Sequence, residues 1–268
     1  TATVRVTSPV AKLLAVDRDS FNLLLRPLES TIRLAAAAKG YTKDLASILG
    51  DDTPMSQPSA PPVLVSMGEL TKIGLMGYSL AAVIELYKDT KSHRTYAVKS
   101  WRKSVVAKSG LEEEILREKN LAQMVDSSFV SKFHKALCSS DQLHLVMEPA
   151  IGGNLLVLYR HKDLYGNSPH VKFHLAGVVM GLEHIQNKKI VYRNLKPENV
   201  MLSSAGHVKL TNLCLARFVL GKTYTLVGTP DYFAPEMISL GGYTSAVDWW
   251  MLGVLLFELM AGYAPFTD

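Results

Sequence analysis

The sequence predicts an α+β fold of two lobes, on three observations. Strand-like alternation dominates from Val63 to about residue 148, helical periodicity dominates after Gly152-Gly153, and the stretch "GDDTPMSQPSAPP" at residues 50–62 separates both from the first 49 residues. Strands that precede helices, rather than alternate with them, are the order of an α+β domain. At 268 residues, 48% hydrophobic and 20% charged, the chain has an ordinary globular composition and the length for one large core or two smaller ones.

The elements follow in order. Val4, Val6, Val10, Leu13, Leu14 and Val16 give strand-like stretches broken at Ser8-Pro9. Asp17 then caps a helix in which Phe21, Leu24, Leu25 and Leu28 recur at helical spacing. Helical pattern resumes from Ile32 to Ala38, pauses at Gly40-Tyr41 and returns weakly up to Leu49. Four prolines, two serines and a glycine within thirteen residues make 50–62 a linker. Beyond it strands extend through "YAV" at 96–98, a helix runs from about Leu111 to Val125, and strands recur around residues 129–148. The most apolar run, Trp249 to Phe257, is nine residues long. That is less than half the roughly 20 needed to cross a bilayer, so the run reads as a buried helix. There is no internal repeat.

The formal charge of +5 arises from 29 basic and 24 acidic residues. Arg94, Lys99, Arg102 and Lys103 cluster, but no long basic run or nucleic-acid motif accompanies them, which favours solvated surface plus an anion site over nucleic-acid binding. Cys138 and Cys214 lie far apart without metal-ligand spacing, as suits a reducing, cytoplasmic setting and no disulfide framework. The first residues lack a signal-peptide pattern, and a start at Thr1 is expected of a fragment.

The chemistry concentrates in "VYRNLKPENVMLSSAGHVKLTNLCLAR", residues 191–217. Lys196 and Asn199 lie two and five residues beyond Asn194, and Asn212-Leu213-Cys214 begins thirteen residues after Asn199. This resembles the HRDLKPEN catalytic loop and the DFG metal-binding triplet of eukaryotic protein kinases. Tyr192, "GTPDYFAPE" at 228–236 and "AVDWW" at 246–250 direct the resemblance to the cyclic-nucleotide-dependent members of the AGC group.

The resemblance implies a small lobe at 63–148, a partial large lobe at 149–268 and an ATP cleft between them. Lys99 of "YAVK" takes the place of the lysine that meets the ATP phosphates, and Glu118 that of its helix partner. Gly77, Ser79, Ala82 and Ile84 stand at the positions of GxGxxGxV. "LVMEPA" at 145–150 takes the hinge position, with Met147 as gatekeeper and backbone groups of Glu148 and Ala150 available to adenine; Ile84, Ala97 and Met201 would sandwich the ring. Tyr192, Leu213, Phe133 and Ala122 occupy the family's regulatory-spine positions. Glu198 and Glu258 stand at acidic peptide-contact positions, whereas Asn154 replaces a glutamate that related kinases use for ribose or basic substrate. Thr225 matches the activation-loop phosphorylation site, with Arg193 and Arg217 placed to pair a phosphate; an unmodified surface threonine is the alternative.

Two departures bear on activity. In the family, the residue at the position of Asn194 is the base and that at Asn212 holds Mg²⁺, both as aspartates. An amide is nearly isosteric but neutral, and its NH₂ donates where a carboxylate accepts. Asn194 therefore cannot act as a base, and Asn212 offers a hard cation one uncharged oxygen. Side chains at Ser79 and Ala82 also crowd a loop whose backbone must approach phosphate. The expectation is a pseudokinase serving as a scaffold or regulatory module for protein partners, with ATP weak or absent from the cleft and Mg²⁺ weakened. The alternatives are a slow Ser/Thr kinase that holds metal through Asn199 and the phosphates, and a nucleotide sensor without turnover.

"TATVRVTSPVAKLLAVDRDSFNLLL" resembles the end of a β-barrel/helix cyclic-nucleotide-binding domain, in which TATV closes the phosphate cassette and DRxxF opens the capping helix. Residues 1–49 would be its C-terminal part, with the cassette that binds cAMP or cGMP outside this chain; a generic hairpin plus helix is the alternative. Its order before a kinase-like region is similar to that in cGMP-dependent protein kinases. At the other end, "PFTD" is expected to fall short of the arginine that pairs with Glu236 in the family.

Overall fold

The computed structural model describes residues 66–79, 81–239 and 241–267. The expectations for residues 1–49, for the 50–62 linker and for a strand starting at Val63 therefore lie outside the described residues. After a 3-10 turn at Met67–Glu69, the chain enters β1 (Leu70–Ser79), β2 (Ala82–Asp89) and β3 (Thr95–Arg102). With β4 (Phe133–Cys138) and β5 (Gln142–Met147) these form an antiparallel sheet of order β1-β2-β3-β5-β4. β3 is central and covered on both faces, so that even its Lys99 and Ser100 are buried. Tyr96 and Val98 pack with Leu70 and Val146 on one face. Trp101 packs with Leu145, Val106 and Ile115 on the other. Side chains alternate along a strand, so Ala97 and Lys99 share the face of Trp101.

Two helices follow β3, where the sequence reading expected one. α1 (Lys103–Ser109) continues directly from the strand with no side-chain cap, buries only Val106, and ends at Gly110 with φ of +64°. Seven residues carrying one buried apolar position leave no helical periodicity to detect, and the packing of Val106 against Trp101 and Ile115 holds the segment. α2 (Glu112–Met124) matches the expected helix. Its buried Ile115, Glu118, Leu121 and Ala122 form one stripe, and Glu112, Glu113 and Glu114 favour the positive end of its dipole.

The large lobe is built on α3 (Leu155–Lys162), α4 (Ser168–Asn187), the short α5 (Pro235–Ile238) and α6 (Ala246–Ala261). It also carries two small ladders that the helical reading of this half left out: β6 (Ile190–Val191) with β9 (Arg217–Phe218), and β7 (Val200–Leu202) with β8 (Val208–Leu210). Strands of two or three residues are too short to show alternation. Gly177 and Gly181 of α4 admit the second ladder. A Cβ at these positions would lie 2.8 Å from Val208 Cβ and 2.8 Å from Leu210 Cδ1 respectively. The hairpin that follows Asn199 is thereby seated on the helix.

α6 corrects one expectation. Val247, Asp248, Met251, Leu252, Val254, Leu255 and Leu259 are buried, but Trp249 and Trp250 are each 37% exposed, so the apolar run is buried on one side. Among the described residues no helix is long and apolar enough to cross a membrane. The main core runs from Leu121 and Ala122 of α2 through α4 to α6 and includes Tyr192 and Leu213, with Phe133 packed against it. The four spine positions thus meet in one cluster spanning both lobes.

Candidate functional site

The catalytic-loop segment is held from below by a carboxylate. Asp248, 0% exposed in the first turn of α6, accepts from the backbone N–H of Tyr192 at 2.9 Å and of Arg193 at 2.8 Å. Gln186 of α4 adds a third donor at 3.3 Å. Burial outweighs these donors and pushes the Asp248 carboxyl up to about 6. Arg193, with φ of +61°, turns its guanidinium inward to Leu215 O at 2.8 Å and to the Tyr243 hydroxyl at 3.1 Å. The "AVDWW" stretch signalled family resemblance in the sequence, but the anchoring role of its aspartate was missed.

Above this anchor the three asparagines meet. Asn199 Nδ2 donates to Asn194 O at 2.7 Å, and Asn194 Nδ2 donates to Asn212 O at 3.3 Å. Asn212 adopts the left-handed region, φ +59°, which a short polar side chain tolerates. Its Oδ1 accepts from Ser79 Oγ at 3.0 Å and lies 3.4 Å from Lys99 Nζ, while its Nδ2 faces Asn199 Oδ1 at 3.5 Å. Lys196 is half-buried, and its carbonyl accepts from Asn199 N at 3.0 Å.

Lys99 and Glu118 form a buried ion pair. Nζ reaches Oε1 at 2.7 Å and Oε2 at 2.9 Å, with the residues 1% and 4% exposed. The ammonium also lies 5.0 Å from the centre of the Trp101 ring, a favourable cation–π placement. β3 supplies the lysine and α2 the glutamate, so the pair ties sheet to helix.

The adenine end follows from sheet register. Ile84 pairs with both Gly77 and Lys99, and Ala97 pairs with Met147. Ala97 and Ala150 are buried, whereas Ile84, Met147 and Met201 stay half-buried. Ser79 pairs with Ala82 where the glycine-loop hairpin turns, and a cavity of about 340 Å³ lies against Tyr78, Ser79, Ala81, Ala82 and Val83. At the hinge, Glu148 N donates to Lys132 O at 2.8 Å, and Glu148 Oε2 pairs with Lys209 Nζ at 2.7 Å. Ser131 Oγ donates to Glu148 O at 2.9 Å, engaging a carbonyl that the sequence reading had left to adenine. A lone serine in the loop before β4 gives no sequence signal for this.

The expected peptide and phosphate positions divide. Asn154 caps α3, its Oδ1 accepting from Val157 N at 2.9 Å. Glu258 accepts from the Tyr232 hydroxyl, and burial, with Glu198 and Asp231 adding to it, raises its carboxyl above the usual range. Glu198 is exposed. Arg217 Nη1 meets Thr225 Oγ1 at 3.0 Å, and the Tyr243 hydroxyl donates to Thr225 O. Arg217 therefore reaches Thr225 directly, whereas Arg193 connects to it through Tyr243.

Ile84, Met147 and Met201 offer half-buried apolar surface at the positions expected to meet adenine, the Glu148 amide and carbonyl are already bonded to Lys132 and Ser131, and Mg²⁺ finds a poor donor set. Among the described residues no group of three or more His, Cys, Asp or Glu is placed to hold a metal. Both carboxylate oxygens of Glu118 face Lys99, and the Asn212 oxygen already accepts from Ser79. A hard cation prefers carboxylates to a neutral, engaged amide.

The protein kinase domain family model matches residues 70–268. The chain is 36% identical over 203 residues to cAMP-dependent protein kinase type 3 of Saccharomyces cerevisiae, covering 76% of this chain and 51% of that protein. It is 32% identical over 240 residues to the human cAMP-dependent protein kinase catalytic subunit PRKX, covering 87% and 66%. Against the Drosophila melanogaster cGMP-dependent protein kinase, isozyme 2 forms cD5/T2, it is 33% identical over 206 residues, 76% of this chain and 22% of that protein. It spans 51%, 31% and 36% of the length of three cAMP-dependent relatives. With its β-sheet small lobe, helical large lobe and homology to cAMP- and cGMP-dependent kinases, the chain belongs to the protein kinase family.

Proposed function

We propose that the chain is a pseudokinase of the cyclic-nucleotide-dependent type, acting as a scaffold or regulatory module with little or no phosphoryl transfer. The observation that carries this reading is the state of Asn212: a neutral side chain whose oxygen is held by Ser79 and faces Lys99 at the position where the family places a metal-binding aspartate. Asn194 adds to it, since its amide donates to a backbone carbonyl and has no basic site. Loss of a general base costs roughly 10² to 10⁴ in rate. A weakened electrostatic clamp costs roughly another 10² to 10³, not simply additive. Even a combined factor of about 10⁴ reduces a usual kinase turnover of about 1 to 100 per second to roughly one event per hundred to ten thousand seconds. Such a rate is too slow for signalling and leaves protein binding as the output, in a cytoplasmic setting, with an upstream cAMP or cGMP site as its control.

The Lys99–Glu118 pair favours a second reading, a slow Ser/Thr kinase in which Asn199 and the ATP phosphates hold the metal. A sensor that binds ATP without turning it over uses the same pair. The readings separate on phosphoryl transfer by the full-length protein with Mg·ATP, with and without cyclic nucleotide, scored by intact mass on itself and on a basic peptide pool. No transfer from a folded sample supports the pseudokinase. Transfer abolished by Lys99→Met overturns it in favour of the slow kinase. ATP binding without transfer selects the sensor, and no binding at millimolar ATP removes it.

A further inference from the structure

Ser79 and Asn212 are both departures from the family pattern, and they are the two ends of one hydrogen bond. Ser79 lies at the end of β1 in the small lobe, Asn212 lies 133 residues later in the large lobe, and Ser79 Oγ donates to Asn212 Oδ1 at 3.0 Å. Glycine at position 79 would supply no donor. Aspartate at position 212 would accept but could not present an N–H to Asn199, the contact that turns the amide oxygen toward Ser79 and Lys99.

We propose that Ser79 and Asn212 form an interlobe latch across the phosphate end of the cleft, so that the cleft selects a purine nucleoside over a nucleoside triphosphate. A phosphate oxygen entering between Ser79 Oγ and Asn212 Oδ1 would accept from the hydroxyl but meet the amide oxygen, itself an acceptor, and would hold the two atoms about 5 to 6 Å apart. At 3.0 Å the pair leaves no such space, and a triphosphate enters only when the latch opens. The latch does not involve the residues expected to meet adenine: Ile84, Met147 and Met201 are half-buried, and Ala97 pairs with Met147. Ala81, two residues after Ser79, adopts the left-handed region with φ of +59°. The proposal rests on reading the cleft as a nucleotide site and not on the absence of turnover, so a positive transfer assay leaves it standing.

The test is calorimetric titration of the full chain with adenosine, and with ATP in the presence of EDTA, comparing the parent with Ser79→Ala and Ser79→Thr. The parent is expected to bind adenosine more tightly than ATP. Ser79→Ala should tighten ATP by about fivefold, the size of one net neutral hydrogen bond, while moving adenosine less. Ser79→Thr, which keeps the hydroxyl, should behave as the parent. Parent affinity for ATP above that for adenosine, equal shifts of both ligands in Ser79→Ala, or no shift of either, would overturn the latch. Should neither ligand bind the parent or Ser79→Ala, the underlying nucleotide-site reading fails instead, a result distinct from those three.

Discussion

Asp248 lies in a helix 55 residues beyond Arg193, yet its two carboxylate oxygens accept the successive amides of Tyr192 and Arg193 at 2.9 and 2.8 Å. The shape of the candidate site therefore depends on a buried group of the large-lobe core. Asp248→Asn keeps one acceptor and sets an NH₂ against an amide N–H. Chemical denaturation should show a loss of about 2 to 3 kcal/mol, the range for leaving a buried charge-assisted partner unsatisfied. A change below about 0.5 kcal/mol would mean that the loop is held by other contacts.

Lys99 and Glu118 make the second prediction. Lys99→Met leaves Glu118 buried beside an apolar chain and should cost about 3 to 5 kcal/mol, as breaking a buried pair does. Lys99→Met with Glu118→Leu should recover most of that loss, because replacing both partners removes the unpaired charge. Additive losses in a double-mutant cycle would contradict a coupled pair.

His174 gives a prediction in pH. Burial pushes its imidazole down to about 4, and its Nδ1 lies 3.0 Å from the Tyr159 hydroxyl. A histidine held neutral contributes stability that is present above its unfolded value near 6.5 and is lost as pH falls toward 4. Asp248 runs the other way, its raised carboxyl adding stability as pH falls from about 6 toward 4. Comparison with His174→Gln isolates the first effect. The parent's advantage over that variant should shrink by about 3 kcal/mol between pH 7 and pH 4. A difference independent of pH would show that the imidazole is not buried neutral.

Much of the fold and part of the site were legible in the sequence. "YAVK", "LREKN" and "VYRNLKPEN" are local motifs that carry the family resemblance, and the structure brings Lys99 and Glu118 of the first two together. What stayed hidden depends on contacts between segments with no periodic signal. Ser79, visible in the sequence only as a departure from the glycine pattern, reaches Asn212 across 133 positions, and Ser131 reaches Glu148 across 17 through a side chain that reads as ordinary loop composition. Arg193 was read as a phosphate ligand by its place in the loop, whereas its guanidinium is bonded to Leu215 and Tyr243 in the interior. The buried role of Asp248 was hidden because an isolated acidic residue before an apolar run reads equally well as a helix start.

The role of the two asparagines is decided by phosphoryl transfer under Mg·ATP from the full-length protein carrying Asn194→Asp with Asn212→Asp, set beside the parent. No measurable transfer is expected from the parent, and transfer should appear in the doubly substituted protein and disappear again with Lys99→Met. A parent that already turns over, or a double variant no faster than its parent, would contradict the assignment of the defect to these two asparagines.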